Sequence, residues 1–376
     1  MRIRNIRVLP IEIPLKKPFA TSRRVQRVGR FIVVELETGD GLVGYGEVDP
    51  RPHITGEVLE SALVVLERVL VPSLRGAELE NVRPLHRTMD RVVEQNPAAK
   101  AGIDMAVYDA LGKEFGAPVS ELLGGRLRDE IRINAWCGIG DLEEVRKTLI
   151  RKKRDGFSYS VKLKVGVDPE RDLAAIRVAR EVFGGEVDII ADANQAWDLG
   201  TAMKFLRKLD NGELSVVEQP LPSQDLAGMA RLTSLLKMRV MADESVWNLR
   251  DIYVVSRLGA ADMVNVKLCK SGGLWEAWRM LEVAGREGLE CMVGSTVETS
   301  ISAAAEAHLA ASSPCVRYVD IMLPEDNLVE DIATGLESEG DRIRVPRRAG
   351  LGVAVDEKRL EKYLKVNIRK DSRHYR

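Results

Sequence analysis

Six residues in the middle of the chain have the types and spacing of a reactive centre. Asp192 (in IIADANQ), Glu218 (in VVEQP) and Asp243 (in VMADES) are acids 26 and then 25 residues apart, each at the end of a short apolar run. Lys162 and Lys164 stand two apart in SVKLKVG, and Lys267 lies in VNVKLCKSGG. Three carboxylates with no thiol or imidazole among them make a hard oxygen set. That set suits Mg²⁺, which takes a few carboxylates, keeps some waters and leaves room for substrate oxygens. A substrate carboxylate held between Lys164 and Lys267 would present its α-carbon to a base on each face. Losing the α-proton is very unfavourable unless the resulting enediolate is neutralised, a task for Mg²⁺ and Lys162. The chemistry to expect is Mg²⁺-dependent abstraction of the proton α to the carboxylate of a small molecule.

Such residues need a frame that brings distant positions to one point. From residue 126 onward, short apolar strands end near Cys137, Lys164, Asp192, Glu218, Asp243, Lys267, Gly294 and Asp320. The intervals are 27, 28, 26, 25, 24, 27 and 26 residues, with helical segments such as 170–183 and 274–287 between the strands. Eight strands alternating with helices predict a parallel barrel, whose reactive groups gather at the C-terminal strand ends. On that frame Lys164, on the second strand, faces Lys267, on the sixth. Glu298 (in VGSTVET, after the seventh strand) and Asp320 (on the eighth) join the ionisable groups at the same end.

The first hundred residues follow a different plan. Positions 2–13 and 30–36 alternate as strands do, and GDGLVGYGE at 39–47 reads as a hairpin turn running into another strand. Positions 98–115 turn helical, with Ile103, Ala106, Val107, Ala110 and Leu111 on one apolar face. Leu123-Gly124-Gly125-Arg126 then breaks the pattern. The expected division is an α+β lobe over 1–125, the barrel over 126–325, and a segment over 326–376 that returns to the first lobe. The fold class is α/β.

Each residue also has a plainer role open to it. A lysine pair in a strand is commonly an exposed edge. Side chains two apart share a face, however, so both lysines face water, or both face an interior that must supply compensating acids. Asp192 could open the ANQAWD turn, and Asp243-Glu244-Ser245 could cap a helix. Lys267 and Glu298 could sit in structural ion pairs. Gly272-Gly273 reads better as a tight strand-to-helix turn than as a phosphate loop. The reactive reading is preferred for the set because every member falls at the matching point of its repeat.

Composition narrows the class. A net charge of −1 gives no general pull toward nucleic acid or an anionic membrane. No apolar run approaches the ~20 residues of a membrane helix. The start, MRIRNIRVLPIEIPL, alternates like a strand and lacks the features of a signal peptide. The basic runs at 151–154 and 369–376 read as a solvated helix face and a frayed end. Cys137, Cys269, Cys291 and Cys315 are far apart in sequence, which points to a reduced, cytoplasmic protein rather than a disulfide or zinc framework. The histidines have no metal-ligand spacing, and neither GxxxxGK nor a strand-linked GxGxxG occurs. The partner expected is a small carboxylate.

At KLK (Lys162, Lys164), DANQ (Asp192, Asn194), EQP (Glu218), ADES (Asp243, Glu244) and the lysine of NVKLCKSGG (Lys267), the chain resembles the enolase superfamily in its muconate-lactonizing subgroup. The resemblance implies a (β/α)₇β TIM-type barrel under a capping domain built from the N-terminal lobe and the C-terminal tail. It implies Asp192, Glu218 and Asp243 as Mg²⁺ ligands, supported by Asn194 and Glu244, and Lys164 and Lys267 as the acid/base pair. PLKKPFATSRR, HITGE and ECMVGSTVETSISAAAEAHLAAS are similar to the dipeptide epimerases of that subgroup. They place Phe19, Arg24, Ile54, Ser295, Thr296, Glu298, Asp320 and Met322 against the substrate, with Arg24 where some of those enzymes hold a side-chain carboxylate. The expected reaction is 1,1-proton transfer on a dipeptide or N-substituted amino acid. The same centre would serve a muconate-type cycloisomerisation or an elimination like that of o-succinylbenzoate synthase. One feature departs from the dipeptide epimerases, which carry Asp-x-Asp at the end of strand eight. Here the stretch reads Asp320-Ile321-Met322, so a thioether replaces the second acid that would receive a dipeptide ammonium. Self-association is expected by analogy.

Overall fold

In the computed structural model, which describes residues 1–20 and 25–365, the alternating N-terminus forms an antiparallel sheet. Its strands, in order, are β1 (Ile3–Ala20), β2 (Val25–Thr38) and β3 (Val43–Val48). Both faces of β2 are buried. Ile32, Val34 and Leu36 pack into the lobe's own core, while Phe31 and Val33 join Ile11 and Ile13 in the core shared with the barrel. Five helices complete the lobe: α1 (Leu59–Val65), α2 (Val71–Leu74), α3 (Val82–Val92), α4 (Pro97–Phe115) and α5 (Val119–Leu122). A π-helical turn, Leu66–Leu70, joins the first two.

The one-faced helix expected over 98–115 is instead buried all round: every residue from Pro97 to Gly112 is enclosed. The helix is wedged between the cap sheet and the barrel helices. Its charged positions are absorbed by partners, with Lys100 on Asp90 at 2.7 Å, Asp104 on His86 at 2.6 Å and Asp109 on Lys113 at 2.7 Å. Gly46 makes the sheet's close approach possible, because a Cβ there would lie 1.9 Å from the Gly102 carbonyl oxygen.

Beyond β4 (Glu130–Arg132) comes the eight-stranded parallel barrel. Its strands are β5 (Ala135–Cys137), β6 (Ser160–Lys164), β7 (Asp188–Asp192), β8 (Val216–Glu218), β9 (Arg239–Ala242), β10 (Met263–Val266), β11 (Glu290–Val297) and β12 (Val316–Met322). Neighbours pair in chain order, and Asn134 N donates to Val319 O at 2.9 Å where the last strand meets the first. The seventh and eighth strands run past their expected ends at 294 and 320, which puts Ser295, Thr296 and Met322 on strands.

Helices α6 (Leu142–Arg154), α7 (Pro169–Phe183), α8 (Leu199–Leu206), α9 (Leu226–Leu235) and α10 (Leu249–Leu258) each start from an Asp or Asn cap: Asp141, Asp168, Asp198, Asp225 and Asn248. Each cap contributes about 1 kcal/mol by satisfying an orphan N–H. Then follow α11 (Leu268–Ser271), α12 (Leu274–Arg286) and α13 (Ser300–Ala311). Asp104 of the cap accepts from Leu274 N at 2.5 Å and so docks the lobe onto the start of α12. Gly273 leaves room for that carboxylate, since a Cβ would meet it at 2.4 Å.

The tail comprises α14 (Pro324–Asn327), β13 (Ala333–Thr334), β14 (Glu337–Glu339), β15 (Arg342–Arg344), β16 (Ala354–Val355) and α15 (Glu357–Tyr363). It holds the first lobe through Val329 N to Pro14 O at 3.1 Å and Lys365 N to Pro10 O at 2.9 Å. It also adds β15 to β4 beside the barrel. Among the described residues no helix is long and apolar enough to cross a membrane.

Candidate active site

An apolar floor of Ile190, Val216, Met241, Met263, Met292 and Tyr318 closes the lower barrel. Lys162 is in register with Ile190, so its long side chain passes this layer and carries the ammonium to the carboxylates above. There Nζ lies 2.7 Å from Asp320, 2.8 Å from Glu218 and 3.4 Å from Asp192. Lys164 Nζ donates to Asp192 at 2.6 Å and to Asn194 Oδ1 at 2.9 Å. On the other side Lys267 Nζ donates to Asp243 Oδ2 at 2.6 Å. The barrel thus brings all three lysines and all three acids to one place. The two lysines of the β6 strand are tolerated because acids of the facing strands compensate them.

These charges shape one another. Burial favours the neutral form of Asp192, but Lys164 and Lys162 outweigh it and hold its carboxyl below the usual carboxylate range. Burial likewise opposes ionisation of Asp243, and Lys267 and Lys270 overcome it more strongly. Glu218 goes the other way: burial and the Asp192 charge push it up to about 8. Although Glu218 Oε2 is 2.8 Å from Lys162, it has no hydrogen bond of good geometry. The ammonium of Lys267 is stabilised above the ordinary lysine range, because Asp243, Glu218 and Glu244 outweigh its burial.

Sequence reasoning passed over three members of this cluster. Lys270, fully enclosed, donates at 2.5 Å to Asp243 Oδ1 and at 3.1 Å to the Asn265 carbonyl. Asn265 donates to Glu218 Oε1 at 2.7 Å. Gln219 Oε1 accepts from Asp243 N at 2.9 Å and so fixes the start of the loop after β9. The second lysine of KLCKSGG was a visible signal for the first of these.

The cap supplies the roof. Gln26, Arg51, His53 and Ile54 face Trp136, Ser295, Thr296, Asp320 and Met322 across a pocket whose base holds the lysines. Arg51 ties the layers together, donating to Asp49 at 2.6 Å, to Gln26 at 2.7 Å and to the Val297 carbonyl at 2.6 Å. Thr296 also hydrogen-bonds Asp49. Ser295 donates to the Asp320 carbonyl at 2.7 Å and accepts from Met322 N at 3.1 Å. Glu298 sits behind this wall, accepting from Thr296 N at 3.0 Å; burial and Asp49 push it up to about 7. Asn194 Nδ2 reaches Glu244 at 3.3 Å, and burial with Asp243 raises the Glu244 carboxyl. Arg24 and the side chain of Phe19 lie outside the described residues.

Among the described residues no three acid, imidazole or thiol groups stand as a ready metal cage, and lysines lie against the acids of the centre. The donors nonetheless fit a hard divalent cation. They are all oxygens, and the poorly bonded, raised Glu218 marks a shortage of positive charge.

Family comparison decides the lineage. Residues 3–124 match the N-terminal domain of mandelate racemase / muconate lactonizing enzyme, and residues 144–359 match the enolase C-terminal domain-like family. The chain belongs to the enolase superfamily, in its muconate-lactonizing subgroup. This enolase-superfamily isomerase is 33% identical to the N-succinyl-L-Arg/Lys racemase of Bacillus cereus, over 96% of this chain and 97% of that one. The crystal structure of that racemase superposes with a TM-score of 0.94 over 97% of this chain and 98% of the other. A hydrophobic dipeptide epimerase of Enterococcus faecalis is also 33% identical, over 94% of this chain and all of that one. Its structure in complex with Mg and the dipeptide L-Leu-L-Tyr gives a TM-score of 0.90. Muconate cycloisomerase 1 of Rhodococcus opacus is 30% identical over 95% of this chain and 96% of its own.

Proposed function

We propose that this enzyme racemises or epimerises an N-acylated amino acid by moving the proton α to its carboxylate. The observation that carries the reading is the placement of Lys164 and Lys267 on opposite strands, each against a different acid, with Lys162 between them. Mg²⁺ held by Asp192, Glu218 and Asp243 would supply positive charge beside the substrate carboxylate. The rest is done by the chain. Lys164, oriented by Asn194, takes the proton of one epimer, and Lys267 returns a proton to the opposite face; the roles reverse for the other epimer. Lys162 faces the charge that develops on the carboxylate as the proton leaves.

The nitrogen substituent follows from the eighth strand. Asp320 is already engaged by Lys162 at 2.7 Å, and Met322 offers no second acid. A free ammonium has little to bind there, whereas an acylated nitrogen carries no charge. The electrostatics agree: Asp192, Glu218, Asp243, Glu244 and Asp320 gather around Lys162, Lys164, Lys267 and Lys270, so acids outnumber lysines by one. A divalent cation would offset the two extra negative charges left when one of Lys164 and Lys267 is neutral and acts as the base.

The test is ¹H NMR in D₂O with Mg²⁺ on N-acyl amino acids, dipeptides and diacids. Expected is loss of the α-proton signal of N-acyl amino acids, with chiral chromatography of the same samples showing the opposite enantiomer. Exchange confined to dipeptides would overturn the substituent assignment. A product with a new ring or a lost water would replace racemisation with cycloisomerisation or elimination. Retention of exchange on both enantiomers in Lys164→Ala or Lys267→Ala would refute the two-base scheme.

A further inference from the structure

At the end of the barrel remote from the pocket, Cys291 opens the outer face of β11 and Cys315 ends the turn before β12. Their backbones are joined, Cys291 N donating to Cys315 O at 2.9 Å, which sets the two residues side by side. Cys315 Sγ also meets Ser313 Oγ and the Leu281 carbonyl, each at 3.3 Å. The C-terminal part of α12 makes way for it: a Cβ on Gly285 would lie 3.3 Å from Cys315 Cβ.

We infer that Cys291 and Cys315 form a redox couple, closing to a disulfide when the protein meets a small-molecule disulfide. The two thiols are unequal in a way that assigns the roles. Cys315 is partly exposed, and its bonds to Cys291 and Ser313 bring it down to about 7, so it carries appreciable thiolate at neutral pH. Cys291 is fully buried and held protonated by its bond to Cys315 and by burial. Cys315 is therefore the attacking sulfur. Its thiolate displaces one thiolate from the reagent and forms a mixed disulfide. Cys291 then gives its proton to solvent, attacks the Cys315 sulfur and releases the second reagent thiolate. The protein loses two hydrogens, and one reagent disulfide becomes two thiols. Cys137 and Cys269 are buried, with burial pushing Cys137 up to about 12 and Cys269 well above the ordinary thiol range, so they stay outside the exchange.

The bond would enclose α13 and cross-link the last two strands of the barrel. Closing a loop of this size constrains the unfolded chain enough to raise the Tm by about 4 °C. The experiment incubates the full-length protein at pH 8 with oxidised glutathione, followed by intact mass, alkylation of free thiols and peptide mapping. Expected are loss of two hydrogen atoms, two alkylatable thiols left of four, a peptide pair linking Cys291 to Cys315, and the higher Tm. Cys315→Ser should abolish all of them while Cys137→Ser leaves them in place. A protein that keeps four thiols, stops at a stable glutathione adduct, or links other cysteines would overturn the inference. Peptide mapping of the unmutated protein decides the matter even if a variant fails to fold.

Discussion

His308 allows a pH test of the seam that joins barrel, cap and tail. It lies on α13 with no exposure, its Nδ1 accepting from Ser120 N at 3.3 Å and its Nε2 donating to the Leu351 carbonyl at 3.2 Å. Only the neutral ring can do both. Burial pushes its pKa from 6.5 down to about 4, with Arg126 adding to the effect and the Leu351 carbonyl opposing it. A depressed histidine contributes stability that is present above the unfolded pKa and is lost as pH falls toward the folded one. Over the whole window that is about 3 kcal/mol, of which about 2 kcal/mol is gone by pH 5. His308→Gln can still donate to Leu351 but does not titrate. It loses the acceptor for Ser120 N, at a cost of about 1–3 kcal/mol that is the same at every pH. Urea unfolding at pH 7.5 and pH 5 separates the two effects. The unmutated protein should lose about 2 kcal/mol more than the variant on acidification. Equal losses in both would refute the assignment of a buried, neutral His308.

Other perturbations have equally definite outcomes. Lys270→Met removes a buried ammonium from Asp243 and should cost about 3–5 kcal/mol in stability, read by denaturant unfolding; a change under about 1 kcal/mol would mean the pair is not enclosed. Glu218→Gln and Asp192→Asn should each weaken Mg²⁺ binding at least tenfold by calorimetry, whereas unchanged affinity would place the ion elsewhere. Gly46→Ala should destabilise by about 3 kcal/mol or more, because the new methyl meets the backbone of α4 rather than a mobile side chain.

The barrel was readable from spacing because each βα unit repeats the same task over nearly the same length. That regularity, and not any single motif, is what sets Lys164, Asp192 and Glu218 side by side in register. Other contacts follow no period. Arg51 meets Val297 across 246 residues, and Asp104 meets Leu274 across 170, so neither cap-to-barrel link leaves a mark on local pattern. The burial of α4 on all sides was hidden for a related reason. Lys100, Asp104 and Asp109 look like a solvated face until their partners from other elements are in place. Lys270 was passed over because the short α11 between β10 and the Gly272-Gly273 turn points it inward, a direction its residue type does not reveal.

The lysines leaning on Asp192, Glu218 and Asp243 have a consequence for the order of assembly. The polypeptide brings its own counter-ions to the hollow, so the fold is expected to complete in the presence of a chelator. Small zinc modules are the opposite case, since they are unfolded until loaded. On the proposed Mg²⁺ role, synthesis and loading would then be separate events.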